Sequence, residues 1–225
     1  MYLIGLTGSI GMGKTQTAAL FEREGVPRYD ADAAVHALYE KGGAAVGPIK
    51  DMFPEAVRDG AVDRAALGQI VLKDPAKLKE LERVVHPLAG ASQVDFLTAQ
   101  GEAGATHVLL DIPLLFETGG HEFVDCVVVV SAPADIQRAR VLNRPGMTAE
   151  KFEDIISKQV PDSQKRAAAD FVVDSSVSVA DAHRQVKEIL TALRDRQGTA
   201  LQGRLARATG RQEEGKQENE QETGA

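Results

Sequence analysis

The sequence predicts an α/β fold, a doubly wound five-stranded parallel sheet with helices packed on it. Three observations carry this expectation. The chain opens on a short apolar run, Tyr2-Leu3-Ile4-Gly5-Leu6, that leads through a glycine loop into a helical pattern. Further on, Cys126-Val127-Val128-Val129-Val130 is continuously apolar, as in a parallel strand covered on both faces. Five such strand patterns alternate with helical ones along the chain.

The first helix begins at Thr15 and carries Thr17, Ala18, Leu20 and Phe21 before Gly25 stops it. Val26 to Asp30 is a short strand, and Asp30 is placed to cap a helix running to Tyr39. From about 42 to 104 the pattern is helical and irregular, with no convincing strand, and reads as an inserted helical subdomain. Within it Asp63 opens one helix, Asp74-Pro75 opens another, and His86-Pro87 is expected to interrupt the latter. Strands return at His107 to Asp111, Asp125 to Val130 and Phe171 to Asp174. Helices are expected over Ala134 to Asn143, from Thr148 onward, and over Val179 to Leu193. The domain reading is therefore 1–196 as one α/β domain, followed by 197–225 as a polar tail without a core to bury and so without fixed structure.

Composition narrows the function classes. The 225 residues carry 33 acids against 26 Lys and Arg, a net charge of −7, which argues against a general nucleic-acid binder. One cysteine, Cys126, lies inside an apolar strand and reads as a core residue in a reducing compartment. No apolar run approaches the roughly 18 residues that span a bilayer, and no basic leader precedes the first strand, so no membrane partner and a cytoplasmic location are expected. The oligomeric state stays open, with a monomer favoured.

Gly8-Ser9-Ile10-Gly11-Met12-Gly13-Lys14-Thr15 fits the phosphate-binding pattern G-x-x-x-x-G-K-[ST] in its required setting between strand and helix. Glycines let successive N–H groups converge on an anion, and the helix N-terminus adds positive potential. Lys14 reaches the β- and γ-phosphates of a nucleotide, and the Thr15 hydroxyl can hold Mg²⁺. Asp111 ends an apolar strand and can bind the metal directly or through water.

A carboxylate at the end of the second strand can take a proton from an attacking hydroxyl. Asp30 is committed to capping, which singles out Asp32; the bland alternative is an acid in a first helical turn, favoured by the dipole. Arg138, Arg140 and Arg144 offer guanidinium forks for a transferred phosphoryl, or form a solvated basic face. A lid over about 142–165 would bring these charges in and exclude water. Leu114, Leu115 and Phe116 form an apolar wall for an acceptor or simply pack. The runner-up is a kinase acting on a nucleoside or nucleotide; a GTP switch would need an N-K-x-D run, which the sequence lacks.

Beyond the glycine loop, Asp30-Ala31-Asp32, His86-Pro87, Asp111-Ile112-Pro113-Leu114-Leu115-Phe116-Glu117, Gln137-x-x-Arg140-x-x-x-Arg144, Gln159 and Ala169-Asp170-Phe171-Val172-Val173 occur in this order. Together they resemble the dephospho-CoA kinase family from the N-terminus to about Leu193. The resemblance implies a P-loop kinase core, an acceptor-binding helical insertion and a helical lid. It implies transfer of the ATP γ-phosphate to the ribose 3′-hydroxyl of dephospho-CoA, with Mg²⁺ as cofactor. By the same match Asp32 is the base, Lys14 and Arg140 stabilise the phosphoryl group, and Gly8, Gly11, Met12, Gly13, Lys14, Thr15, Gln16 and Arg144 hold ATP. Asp32, His86, Leu114 and Leu115 belong to the acceptor site, and Thr15 and Asp111 to the metal. Ser9 and Met12 stand where Gly and Ser are usual in the family, Gln16 where Thr is common, and Ser175 and Val177 where Asn and Gly are usual.

Overall fold

Every residue of the first strand, β1 (Tyr2–Thr7), is buried, as the opening apolar run requires. A computed structural model of the chain describes residues 1–204. After β1 come α1 (Lys14–Arg23) and β2 (Arg28–Asp30). The chain then passes through α2 (Ala31–Tyr39), α3 (Val46–Met52), β3 (Val57–Arg58), β4 (Ala61–Val62), α4 (Arg64–Val71) and α5 (Pro75–Glu102). It continues as β5 (His107–Asp111), β6 (Cys126–Ser131), α6 (Ala134–Leu142), α7 (Ala149–Ser157), α8 (Asp162–Ala167), β7 (Phe171–Asp174) and α9 (Val179–Leu193).

The main sheet is parallel and has the order β2-β5-β1-β6-β7. β1 pairs with β5 on one side and β6 on the other, so the chain changes direction across the sheet at β1. Ligands of open α/β sheets bind outside the carboxyl ends of the strands at such a point, and the glycine loop leaves β1 there.

β6 shows why an unbroken apolar run was needed. Its Cys126, Val128 and Val130 join a core with Ile4 and Leu6 of β1, Ala18 and Phe21 of α1, and Val186 and Ile189 of α9. Val127 and Val129 point the other way, onto Leu115 with Ile112 and Phe116 beside it. Strand periodicity thus divides one valine run between two covered faces. Burial raises the Cys126 thiol to about 12, as suits a core residue.

The described residues fall into two units, one made of Met1–Tyr29 and residues 100–204, the other spanning Asp30–Ala99. The second has its own core, with Ile49, Phe53, Leu67, Val71, Leu81 and Val85 at its centre. It takes in α2 because Val35, Leu38 and Tyr39 pack on that core. Side-chain caps start α2 and α4: Asp30 accepts from Ala33 N at 3.0 Å, and Asp63 from Ala65 N and Ala66 N, each at 3.0 Å.

Three local expectations need correction. The helical stretch contains the ribbon β3–β4, paired antiparallel with Val57 opposite Val62. Its turn is Asp59-Gly60, both at positive φ (52° and 80°), the Asp-Gly signature of a tight hairpin. α5 runs unbroken through Pro87. A proline removes one helical hydrogen bond, and Leu81 and Val85, buried within the two turns before it, together with the packed Leu88 hold the helix across the gap. The first residues of the expected tail, up to 204, are also held in place. Asp125 Oδ1 accepts from Thr199 N (2.6 Å) and Ala200 N (2.9 Å), capping a helical segment over 200–204, while Asp125 Oδ2 accepts from Leu3 N at 2.8 Å. Arg204 Nε donates to Phe123 O at 2.5 Å, and burial lowers its guanidinium to about 10. The remaining residues to which that expectation applies, 205–225, lie outside the described residues.

Candidate active site

The glycine loop is built so that only glycine fits at its turning points. Gly11 and Gly13 take φ of 80° and 90°. A Cβ at Gly11 would overlap Val141 Cγ2, and one at Gly8 would lie 2.7 Å from Val130 O. Gly13 caps α1 without a side chain, so the first N–H groups of that helix have no side-chain acceptor and remain available to an anion. Met12 holds the loop rather than facing it: its side chain is buried and its Sδ accepts from Ala132 N at 3.1 Å. Thr15 and Gln16 are exposed on the first turn of α1.

Lys14 leaves this turn and donates from Nζ to Asp111 Oδ1 at 2.5 Å. Asp111, at the end of β5, is fully buried. Its other oxygen accepts from Arg28, at 2.6 Å from Nη2 and 3.0 Å from Nε. The sequence pattern does not single out Arg28; its one clue is a charged residue inside a short strand candidate. Both Asp111 oxygens therefore carry a cationic donor. Among the described residues no cluster of three His, Cys, Asp or Glu side chains could hold a metal.

The three arginines near α6 separate into different roles. Arg140 donates from Nη1 to Ser175 Oγ (2.9 Å) and from Nη2 to Ser175 O (2.7 Å). Ser175 Oγ in turn donates to Met12 O at 2.6 Å, which ties Arg140 to the glycine loop. Its guanidinium Nη1 lies 3.8 Å from where a Cβ on Gly13 would stand. Arg138 instead pairs with Glu153 at 2.5 Å and lies 5.6 Å over the Phe152 ring, joining α6 to α7. Arg144 is exposed, past the end of α6. Ser175, which departs from the usual family residue, is thus the link that aims Arg140.

Residues of the expected lid are anchored to the loop at their base. Gln159 Oε1 accepts from Ile10 N at 3.2 Å, and the buried Gln137 donates to Ile10 O at 2.7 Å. Glu117 accepts from Val160 N at 2.9 Å and pairs at 2.8 Å with Lys165, which is fully buried. Burial alone would raise the Glu117 carboxyl; the Lys165 ammonium and backbone N–H groups outweigh it and hold it below its ordinary 4.5. The pair therefore stabilises the fold above pH 4.5 and is lost as pH falls through the lower folded-state value. Glu117→Gln should cost on the order of 2–3 kcal/mol near neutral pH and flatten the acid limb of stability, because Lys165 loses its counter-charge. Urea unfolding from about pH 6 to 3 measures both, and an unchanged acid limb would show that Glu117 does not govern it.

Leu114 and Leu115 diverge. Leu115 is 0% exposed in the core under β6, whereas Leu114 is 43% exposed. Only Leu114 offers surface to an acceptor. Asp32 and His86 are both exposed, Asp32 as the second residue of α2 and His86 on α5, and both belong to the Asp30–Ala99 unit.

The comparisons with known proteins agree with one another. The dephospho-CoA kinase family model matches residues 2–181. A dephospho-CoA kinase of Mesorhizobium japonicum is 51% identical over 199 residues, which cover 88% of this chain and 100% of that protein. One from Agrobacterium fabrum is 54% identical over 193 residues, covering 86% and 98%. Among solved structures, a Thermus thermophilus protein superposes with a TM-score of 0.75 at 36% identity, over 85% of this chain and 97% of that one. A dephospho-CoA kinase from Campylobacter jejuni shares the fold, with a TM-score of 0.60 at 20% identity over 85% and 96%.

Proposed function

This chain belongs to the dephospho-CoA kinase family, and from that premise we propose that it transfers the γ-phosphate of ATP to the ribose 3′-hydroxyl of dephospho-CoA, in the cytoplasm. The observation that carries the reading is the cradle formed by the glycine loop, Lys14 and the Ser175-held Arg140. Phosphoryl transfer needs little covalent help from a protein and much positive charge held in place.

In this reading the loop and the N-terminal turn of α1 bind the ATP phosphates, and Lys14 and Arg140 neutralise charge on the transferred group. Arg144, on the proposed lid over about 142–165, adds a further cation. Asp32 follows β2 by two residues and accepts the proton of the attacking hydroxyl. The bond from phosphorus to the β–γ bridging oxygen breaks as the new ester bond forms, and ADP leaves with that oxygen. His86 and Leu114 serve the acceptor.

The exposed Thr15 hydroxyl is a hard oxygen donor on the turn that follows Lys14 and fits a role as Mg²⁺ ligand. Asp111 does not fit direct ligation, since each of its oxygens already faces a cation, and it would reach the metal only through water. Bound Mg²⁺ would supply charge neutralisation at the β- and γ-phosphate oxygens.

Phosphate transfer assayed side by side with dephospho-CoA, adenosine, AMP and pantothenate tests the acceptor. Dephospho-CoA should exceed each of the others by at least about 10² in kcat/KM. Turnover of another acceptor with none of dephospho-CoA would sink the assignment.

A further inference from the structure

Neither the glycine-loop pattern nor the family motifs give a reason for Arg28, yet it is built into the cluster around Lys14. Its side chain is 14% exposed and its Nη2 and Nε converge on Asp111 Oδ2, while Lys14 holds Oδ1. Its Nη1 also approaches Glu22 Oε2 on α1, at 3.4 Å, on the half-exposed side.

A fully buried carboxylate with one counter-charge resists losing it, because an unpaired charge in a low-dielectric site is heavily penalised. Lys14 is the residue that must serve the nucleotide. Whatever part of its charge it gives to a phosphate is withdrawn from Asp111. With Arg28 forked on Oδ2, Asp111 stays neutralised during that exchange; without Arg28, Asp111 would hold Lys14 back.

We propose that Arg28 is a positioning residue that frees Lys14 for nucleotide phosphates by keeping the buried Asp111 carboxylate paired. The proposal deepens the nucleotide-binding reading of the loop and rests on it. It makes a directional claim that a merely structural arginine would not: removing Arg28 weakens nucleotide binding only while Asp111 bears a charge.

Calorimetric titration with ADP and Mg²⁺, without acceptor, tests this on the full chain. Arg28→Leu should bind about tenfold more weakly, the size of one charge-assisted hydrogen bond. Arg28→Lys, which keeps the charge but loses the fork, should fall between Arg28→Leu and the unaltered protein. In an Asp111→Asn background, adding Arg28→Leu should change affinity by less than about threefold. Should Arg28→Leu fail to fold, Arg28→Gln, which keeps a donor for Asp111, takes its place in the same cycle. Unchanged affinity in Arg28→Leu would overturn the proposal, and so would an equal loss in the Asp111→Asn background. If the unaltered protein bound no ADP, the nucleotide reading itself would fall, and Arg28's role with it.

Discussion

Asp32→Asn lowers turnover by at least about 10² and leaves nucleotide affinity nearly unchanged, if Asp32 is the base that accepts the hydroxyl proton. The amide has the size of the carboxylate but cannot take the proton. The substitution costs the fold little, because Asp32 is exposed and its contribution to α2 is a first-turn charge worth about 0.3–1 kcal/mol. Asp30 is the built-in control. Its side chain caps α2 through Ala33 N, and Asn is an equally good cap, so Asp30→Asn should preserve both helix and rate. Steady-state turnover with dephospho-CoA, beside ADP titration, separates the two acids. Near-normal turnover in Asp32→Asn with a collapse in Asp30→Asn would move the base to Asp30.

Lys14→Ala damages binding and chemistry together, lowering kcat/KM by on the order of 10²–10³, because it removes a cation that faces the phosphates in both ground and transition states. The fold should survive the change. Asp111 keeps its two bonds from Arg28, so no buried carboxylate is left alone. A shift in stability of about 1 kcal/mol or less in urea unfolding, with the loss in rate, is the expected pair of results. Unchanged turnover would remove Lys14 from the mechanism. A large loss of stability would mean that Arg28 does not hold Asp111 by itself.

The parts of the molecule legible in advance are those written in neighbouring residues. The strands of the main sheet, the glycine loop, the cap at Asp30, the helix starts at Asp63 and Thr148, and the extent of α9 follow from local pattern and fall where expected. Two departures from that pattern are also local. Asp59-Gly60 carries a hairpin signal within an otherwise helical pattern, and the packing around Pro87 outweighs its tendency to break a helix.

What the sequence alone determined is a phosphate-binding P-loop on an α/β sheet, together with an ordered set of motifs resembling one kinase family. Backbone geometry at glycine and strand periodicity are properties of a few adjacent residues, so they can be read from them. Only the tertiary structure decided which side chains serve which. It set Arg28 against Asp111 across 83 positions, tied Arg140 to Ser175 across 35, gave Arg138 to Glu153, turned Leu115 into core while leaving Leu114 exposed, and used Asp125 to cap a segment 75 residues away. Pairings of this kind depend on where the sheet brings distant strand ends and loops together, and on burial that makes an unpaired charge costly, neither of which any short stretch of sequence contains.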